Sequence, residues 1–465
     1  MNSYNLLSEN WIPVLYHNGD FKRVGIRTAF QDAHRIRQIA ATNPMDRVAI
    51  LRFLLALLYW CKGNPLEGRE PAPDEPFPPE WFSKLEENKE CFNLLGQGKR
   101  FYQDCRAQRS RGVTDLLQEI PTGNNFWHFR HSTDGVNGLC PACCAMGLLR
   151  LPLFSLSGLP NLKSGINGTP PVYAVPWGVS LLETLVLNWV QCSELGTPAW
   201  IQPDNRPTPG EAVPLLVGLT LLSRRVWLHE PGDEAGVCIG CGESGSAVIR
   251  TCEFETAGDQ ENDLWDDPHV VYSTTTPRKA SRASDLTAAE TFRMDRPWAD
   301  LIARYIDAGK TPAEKAVHIL FVGFATDNAK NVDVWERMVV LDPAGIGEGT
   351  DISSRVLQWQ KGGREVEKRL ERLVRSEKQS KAAMAGFRPQ IEHDVSADIG
   401  GLLSGGDAAW EQAAAAYAPV MESIAGAVSA GYTTQATKLR RGIGRVKAKV
   451  TLDSTKERGG KGKDK

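Results

Sequence analysis

Two Cys-X-X-Cys pairs constrain the fold of this chain more than any other feature of its sequence. Cys140-Pro-Ala-Cys143 and Cys238-Ile-Gly-Cys241 each have the two-residue gap that lets both thiolates of a tight turn reach one metal ion. Gly242 follows the second pair and suits the backbone reversal of a zinc knuckle. Four thiolates form a closed tetrahedral site without an open position for catalysis. The sequence therefore predicts one structural Zn²⁺ site at Cys140, Cys143, Cys238 and Cys241.

The wide separation of the two pairs leaves an alternative open. Cys143 and Cys238 are separated by 94 residues, far more than in a compact zinc ribbon. Each pair could instead be an independent redox dithiol or two buried thiols. Neither pair stands in a thioredoxin-like βαβ context, which favours zinc. Cys144 could substitute as a ligand, although Cys143 keeps the spacing of the motif.

The composition and the N-terminus predict a soluble, cytoplasmic protein. The first ten residues are polar and lack the basic and apolar regions of an export signal. The most apolar stretch, Val48–Cys61, contains Arg52 and is too short to span a bilayer. The formal net charge is only −2, so a nucleic acid would have to bind local basic patches. In a reducing compartment the Cys-X-X-Cys pairs indicate metal or redox chemistry rather than disulfides.

Periodicity predicts an α+β fold: a large mixed N-terminal domain over residues 1–350 with the four-cysteine zinc site, followed by a C-terminal helical bundle of the four-helix type over residues 351–450. Residues 451–465 form a basic tail that we expect to be disordered. In the N-terminal domain we expect helices at Met45–Cys61, Cys144–Leu151 and Val179–Gln191. We expect strands at Leu215–Leu222, Ala247–Cys252 and His269–Thr276.

The motifs of the common catalytic classes are missing from the sequence. The chain contains no GxxxxGK[ST] loop, no GxSxG elbow, no HExxH helix and no GxGxxG turn. An acidic cluster between Glu253 and Asp267 could hold Mg²⁺, as in a stand-alone zinc-ribbon nuclease, but a solvated acidic loop is the simpler interpretation. We therefore expect a protein that is not an enzyme.

Two segments have the composition of nucleic-acid surfaces. Asn124–His131 interleaves aromatic, amide and cationic side chains, which suits stacking on bases and contact with phosphates, although the aromatic residues could also pack in the core. Lys438–Lys449 carries six cations and no acid, including Arg440, Arg441, Arg445 and Lys447. On a helix these cations would neutralise phosphates, unless the segment is simply a solvated basic helix.

Six ordered motifs span most of the first 270 residues: Asn5–Val14, Arg100–Gln103, Leu139–Cys143, Leu162–Pro170, Pro198–Pro203 and Cys238–Gly242. Together they resemble CasA, the large-subunit family of the type I-E CRISPR surveillance complex Cascade. The resemblance implies a non-catalytic subunit that binds crRNA and the other Cascade subunits. It also implies recognition of the protospacer-adjacent motif in double-stranded target DNA from the minor groove. In this family the large subunit then promotes strand separation and R-loop formation, and it helps to recruit a helicase-nuclease.

The resemblance also assigns expected roles to individual positions. Phe129, Arg130 and His131 match a loop that inserts near the crRNA 5′ handle. The family has a glycine-rich loop that lies along the minor groove, and of its glycines only Gly158 is present here. Lys163 follows this position in the sequence and could hold a phosphate. A strand-separating hairpin should lie between Gly323 and Glu336. Its tip would carry Asn328 and Lys330. The family's motif-reading lysine aligns near Thr256, so its contact would be lost or would move to Lys279 or Arg282.

Overall fold

A computed structural model describes most of the first 341 residues of the chain. The described residues are 3–65, 71–120, 138–156, 163, 165–207, 210–232, 235–257, 262, 264–271, 317–327 and 330–341. As far as Met338 they belong to one compact unit. The predicted helical bundle over residues 351–450 and the predicted tail over residues 451–465 lie outside the described residues.

The strands of the described part form several small sheets. In chain order the strands are β1 (Tyr4–Asn5), β2 (Ile12–Tyr16), β3 (Phe21–Val24), β4 (Ile36–Ile39), β5 (Asn93–Leu95), β6 (Ser110–Gly112), β7 (Val172–Trp177), β8 (Arg224–Leu228), β9 (Ala235–Val237), β10 (Ser244–Ala247), β11 (Thr251–Thr256), β12 (Val317–Asp327) and β13 (Lys330–Leu341). Three sheets have three strands each, in the orders β3-β2-β4, β6-β11-β8 and β13-β12-β7, and β1-β5 and β10-β9 form two-stranded ribbons.

Helices lie between these strands and confirm the expected mixture of α and β structure. They are α1 (Ile26–Gln31), α2 (Pro44–Lys62), α3 (Ser83–Glu87), α4 (Pro141–Phe154), α5 (Leu181–Asn188) and α6 (Leu215–Thr220). Single 3₁₀ turns occur at Pro79–Phe82, Lys89–Phe92 and Val113–Leu116. The predicted helices at Met45–Cys61, Cys144–Leu151 and Val179–Gln191 correspond to α2, α4 and α5.

Helix α2 is the centre of this unit. Its first turn is capped by Asn43, whose side chain accepts a hydrogen bond from the Met45 amide at 2.9 Å, and Pro44 supplies a preset φ at the first helical position. The helix ends at Gly63, which has a φ of 87°. Buried residues lie on every side of α2, and α4, α5, α6 and β12 all contact it. A helix that is apolar all round is stable only when other elements cover it completely.

The strand predicted at Leu215–Leu222 is wrong, because the structure forms helix α6 there. A short apolar run has no periodicity that separates a buried strand from a buried helix. Pro214 precedes the run with a φ of −60°, and the Trp265 ring covers Gly218 so closely that a Cβ would lie 2.4 Å from it. Helix α6 therefore packs directly against the Trp265 ring.

The other two predicted strands also need correction. Ala247–Cys252 is not one strand, since β10 ends at Ala247 and β11 begins at Thr251. Between them Ile249 forms an isolated antiparallel bridge with Leu139, which holds the start of α4. Of the strand predicted at His269–Thr276 only residues 269–271 are described, and they contribute a single bridge between Val270 and Tyr173.

A buried ionic cluster ties α2 to a distant segment of the chain. Arg52 donates two hydrogen bonds to the Asp267 carboxylate, at 2.7 and 2.8 Å, and a third to His269 Nδ1 at 2.8 Å. The side chains of Arg52 and Asp267 are 3% and 0% exposed, so this ion pair is desolvated. Since Nδ1 accepts from Arg52, His269 carries its proton on Nε2, which donates to Asn188 Oδ1 at 2.9 Å.

This cluster predicts a stability that declines in mild acid. Burial, together with the nearby charge of Arg52, lowers the pKa of His269 to about 3. Its unfolded-state pKa is about 6.5, so between these two values the unfolded chain binds more protons than the folded chain. The contribution of His269 to stability is fully present above about pH 6.5 and is lost as the pH falls, with a slope of about 1.4 kcal/mol per pH unit.

Urea unfolding at a series of pH values below about 6.5, with saturating metal present throughout, measures this slope. A His269→Gln variant cannot titrate there, and we expect its pH profile to be flatter than that of the wild type by about one proton. Identical slopes for the two proteins would contradict the assignment.

Candidate metal centre

The first cysteine pair occupies the start of helix α4. Cys140 is the residue immediately before the helix, Pro141 is its first helical residue, and Cys143 follows in the first turn. The Cys144 amide donates to the Cys140 carbonyl at 3.0 Å, which closes that turn. The bridge between Leu139 and Ile249 consists of two hydrogen bonds of 2.9 Å, and it fixes the direction in which the chain enters α4. Both thiols of the pair therefore lie on one end of a packed helix.

The second pair lies in the tight turn between β9 and β10. The Cys238 amide donates to the Glu243 carbonyl at 2.8 Å, and the Gly242 amide donates to the Cys238 carbonyl at 2.7 Å. Gly242 has a φ of 77°, in the left-handed region that favours glycine. The expected backbone reversal after the second pair is thus present.

The fold brings the two pairs together into one cluster. The four Sγ atoms lie within 4.8 Å of one another, and Cys140 Sγ is 3.9 Å from Cys241 Sγ. The Cys140 amide also donates to Cys238 Sγ at 3.2 Å. Four thiolates about 2.3 Å from a tetrahedral metal ion are about 3.8 Å apart. The cluster fits a single metal ion, and the interpretation as two independent pairs is wrong.

A glycine makes this close approach possible. A Cβ placed on Gly240 would lie 3.0 Å from Cys143 Sγ and 3.3 Å from Cys143 Cβ. Any larger residue there would push the second turn away from α4. The Ile239 amide, next to this glycine, donates to the Gly138 carbonyl at 3.1 Å and holds the two turns in register.

The electrostatics of the cluster lower the pKa of Cys238 and Cys241 and raise the pKa of Cys140 and Cys143. Hydrogen bonds from Cys140 and Cys143 lower the pKa of Cys238 well below its ordinary value, and the hydrogen bond from Cys143 lowers the pKa of Cys241 to about 6. The pKa of Cys143 is raised, since it donates to the other three sulfurs and is buried. Cys241 is the exposed member of the four. Two thiols are therefore prepared for the deprotonated state that binds metal.

Arg23 of strand β3 is a site residue that the sequence interpretation missed. Its guanidinium forms an ion pair of 2.6 Å with Glu243, and it lies close enough to Cys241 to lower the pKa of that thiol. Burial would lower the pKa of Arg23, but these contacts outweigh it and raise the pKa. Nothing in the local sequence around Arg23 could have identified it, because the contact joins residues 220 positions apart.

The Arg23 contact predicts an effect on metal affinity. Partners that hydrogen-bond a metal ligand typically contribute about 10–100-fold to affinity. We therefore expect Arg23→Gln to weaken metal binding by about tenfold, measured by competition with a chromogenic chelator. The neighbouring Lys22→Gln is the matched control, since Lys22 is exposed and its charge contacts Asp20 at 2.9 Å and the Tyr16 ring, away from the cysteines. Equal affinities for the two variants would contradict the role of Arg23.

The remaining cysteines and acidic residues do not extend the site. Cys144 is buried and its sulfur faces the Leu139 carbonyl at 3.9 Å, outside the cluster. In the acidic segment, Asp267 pairs with Arg52 and Glu253 with His229. Within the described ranges, no second group of at least three His, Cys, Asp or Glu residues is close enough to hold a metal ion. These contacts disfavour a Mg²⁺ site among those described residues.

The structure places only some of the expected nucleic-acid residues. Lys163 is exposed, and its backbone carbonyl accepts a hydrogen bond of 3.0 Å from Arg224. Lys330 begins strand β13. The others lie outside the described residues: Phe129, Arg130, His131, Gly158, Asn328, Arg440, Arg441, Arg445 and Lys447. Their roles remain predictions.

The expected hairpin between Gly323 and Glu336 corresponds to the neighbouring strands β12 and β13, which extend beyond both ends of the predicted range. The Trp335 ring covers Gly323, where a Cβ would lie 2.4 Å from the indole. Glu336 forms an ion pair of 2.6 Å with Arg47 in the first turn of α2. The base of the hairpin is therefore attached to the central helix.

No helix in the part of the chain that the structure describes has the length and apolar character needed to cross a membrane.

Comparison with known proteins gives consistent matches. The model of one family, described as CRISPR-associated protein Cse1, matches residues 5–446. The curated protein CasA/Cse1 of Thermus thermophilus is 29% identical over 227 residues, which are 44% of this chain and 43% of that protein. The aligned region thus spans less than half the length of this relative.

Solved structures share the fold at lower identity. The crystal structure of Thermobifida fusca Cse1 has a TM-score of 0.71 and 18% identity, with 97% of this chain and 98% of that chain covered. A chain of a CRISPR RNA-guided surveillance complex has a TM-score of 0.64 and 17% identity, with 97% of this chain and 100% of that chain covered. The mixed α and β architecture is therefore that of these proteins.

Proposed function

The chain belongs to the Cse1 (CasA) family of CRISPR-associated proteins, and from this membership we propose that it is the non-catalytic large subunit of a crRNA-guided type I-E Cascade complex. The observation that carries the proposal is the family match over residues 5–446, because it includes both halves of the metal centre. Its partners are then crRNA, the other Cascade subunits, double-stranded target DNA and a helicase-nuclease, and it acts in the cytoplasm.

In this proposal the N-terminal unit reads the protospacer-adjacent motif from the minor groove. Lys163 holds a phosphate, Gly158 allows close approach of the backbone, and Phe129, Arg130 and His131 lie near the crRNA 5′ end. The minor groove presents a degenerate pattern of donors and acceptors. We therefore expect the protein to accept several related motifs rather than one strict sequence.

The β12-β13 hairpin is the proposed wedge that separates the DNA strands, with Asn328 and Lys330 at its tip. Stacking stabilises a duplex by about 1.4 kcal/mol per step, and the exchange of DNA pairing for RNA–DNA pairing is nearly balanced. A wedge that replaces the stacking of one base pair can therefore shift the equilibrium between the DNA duplex and the R-loop towards the R-loop. The attachment of Glu336 to Arg47 supports this role, since a wedge must be held rigidly at its base.

The metal ion of the four-cysteine cluster is proposed to be Zn²⁺. Four soft thiolate ligands in a tetrahedral arrangement select zinc or iron–sulfur chemistry, and a site with three buried and one exposed cysteine fits a closed structural zinc ion. Bound there, zinc supplies a cross-link. Cys140 and Cys143 anchor it to α4, and Cys238 and Cys241 anchor it to the β9-β10 turn.

Co-purification and a randomised-motif library test the proposed function together. The protein is expressed with a crRNA-bearing complex. The complex is then mixed with DNA duplexes that carry a matched target and random flanking bases, and the bound duplexes are sequenced. We expect the protein to co-purify with the complex. We also expect DNA binding to depend on the flanking motif only when the complex contains this protein. The proposal would be contradicted if the complex does not contain this protein and binds its DNA target equally well in its absence.

The basic helix predicted near the C-terminus is tested in the same assay. Reversing the charges of Arg440, Arg441, Arg445 and Lys447 should weaken binding for all motifs, because phosphate contacts carry no sequence information. An unchanged affinity would exclude this segment from the DNA interface. Mg²⁺-dependent cleavage by the isolated protein, abolished by Asp266→Ala, would favour a nuclease instead.

A further inference from the structure

The four sulfur atoms of the metal centre differ in their access to solvent. Cys140, Cys143 and Cys238 are 3%, 4% and 0% exposed, whereas Cys241 is exposed. Thiolates are oxidised by peroxides, and exposure is one of the properties that decide which cysteine of a protein reacts. A small oxidant that diffuses to the cluster therefore meets Cys241 first.

Two charged side chains lie next to the Cys241 sulfur. Glu243 Oε2 is 3.9 Å from Cys241 Sγ and 2.6 Å from Arg23 Nη1. The Arg23 and Glu243 side chains are 26% and 47% exposed, so water and small solutes reach this side of the cluster. A cation beside the sulfur that attacks a peroxide stabilises the hydroxide that leaves. The surroundings of Cys241 therefore suit its reaction with a small, neutral oxidant.

Cys140 places a second sulfur atom beside Cys241. The two Sγ atoms are 3.9 Å apart, which is close to the contact distance of two sulfur atoms. Cys140 is the residue before helix α4, and Cys241 lies in the turn between β9 and β10. A sulfenic acid condenses with a neighbouring thiol to form a disulfide. Oxidation of Cys241 therefore has a partner sulfur within reach on the other half of the cluster.

We propose that Cys241 is a peroxide-reactive site whose oxidation joins it to Cys140 and releases the metal ion. The Cys241 thiolate attacks one oxygen of hydrogen peroxide, the O–O bond breaks, and hydroxide leaves as the sulfenic acid forms. The Cys140 thiolate then attacks the Cys241 sulfur, the S–O bond breaks, and a second hydroxide leaves. Two protons from solvent convert both hydroxides to water, so the two sulfurs lose the two electrons that the peroxide gains. The ion loses two of its four ligands.

The disulfide joins the same two elements as the metal ion, helix α4 and the β9-β10 turn. The connection between Cys140 and Cys241 therefore persists after the ion has left. Because this disulfide contains the exposed Cys241 sulfur, a dithiol reductant can reach it and restore both thiolates by thiol–disulfide exchange. The oxidation is thus reversible. It concerns the metal centre alone and does not depend on the proposed function.

Peroxide treatment of the zinc-loaded full chain tests this proposal. Metal release is followed with a chromogenic chelator, and mass spectrometry of non-reduced peptides identifies the cysteine pairs. We expect release of about one ion per chain together with a disulfide between Cys140 and Cys241, and recovery of both thiols with a dithiol reductant and Zn²⁺. Dimedone added at early times should label Cys241. Retention of the ion, its release without a disulfide, or a disulfide between Cys238 and Cys241 would overturn the proposal.

Two controls show that the metal-bound cluster itself reacts. Cys105→Ser removes an exposed thiol outside the cluster, and we expect wild-type rates of metal release and disulfide formation in this variant. Raising free Zn²⁺ by about tenfold above saturation lowers the metal-free fraction by the same factor. The rate of disulfide formation should stay unchanged, because the peroxide attacks the metal-bound thiolate. A rate that falls by about tenfold would mean that only the metal-free chain reacts and would contradict the proposal.

Discussion

A Cys140→Ser, Cys238→Ser double variant is expected to lose its metal ion and a large part of its stability. Each substitution removes one ligand from a different half of the cluster, and serine is a poor zinc ligand. Zinc in structural sites contributes on the order of 10 kcal/mol to folding of small domains, so we expect a loss of about 5 kcal/mol or more in this larger unit. Metal content should fall from about one ion per chain to near zero, measured by elemental analysis, with unfolding followed in urea.

The control for this variant is Cys105→Ser. Cys105 is an exposed free cysteine outside the cluster, and its replacement should leave both metal content and stability unchanged. Metal content that is unchanged in the double variant would refute the shared site. In the assembled complex we also expect weaker motif recognition, since α4 leads from the metal centre to the segment after Leu156.

Removing the charge of Arg52 is the second change with a large expected effect. Arg52→Met leaves the Asp267 carboxylate buried without its counter-ion, and broken buried pairs typically cost about 3–5 kcal/mol. The stacking of the Arg52 guanidinium on the Tyr173 ring, at 5.1 Å from the ring centroid, is lost as well. Equilibrium unfolding in urea at neutral pH measures the change in the free energy of unfolding.

Two further variants test whether desolvation of the ion pair causes the loss of stability that we expect for Arg52→Met. Arg27→Met removes a bidentate ion pair of the same chemistry, but Arg27 and Glu86 are 39% and 51% exposed, so its cost should stay below about 1 kcal/mol. The double variant Arg52→Met, Asp267→Asn removes both buried charges, and we expect it to recover part of the stability that Arg52→Met loses. A loss from Arg52→Met no larger than that from Arg27→Met would contradict the desolvated pair.

The parts of the fold that follow from local sequence could be predicted. The cysteine spacing predicts the turn at Cys238 and Cys241, because a Cys-X-X-Cys pair with a following glycine has few ways to arrange its thiols. The first pair lies at the start of helix α4 instead of in a tight turn. Helix α2 is predicted over Met45–Cys61 by its mainly apolar composition, which Arg52 interrupts, and the structure starts it one residue earlier, at Pro44 after the Asn43 cap. In both cases residues within one or two turns of each other determine the geometry.

The parts decided by distant neighbours could not be predicted. The apolar run of helix α6 fits a buried strand as well as a buried helix, and its contact between Gly218 and Trp265 is one that no local pattern records. Arg23 looks like an ordinary strand residue in the sequence. Its role comes from Glu243 and Cys241, which tertiary structure brings to it. The convergence of the cysteine pairs across 94 residues needs the same information.

The central position of helix α2 has a consequence for how the chain is made. The helix is complete at Lys62, but it contacts α6 at Leu215–Thr220 and β12 at Val317–Asp327. Domains emerge from ribosomes at about 5–20 residues per second, so α2 waits on the order of tens of seconds for its last partner. Until then part of its apolar surface lacks its native partners in the nascent chain. Binding by a chaperone during synthesis, or early burial against the N-terminal strands, must protect it from aggregation.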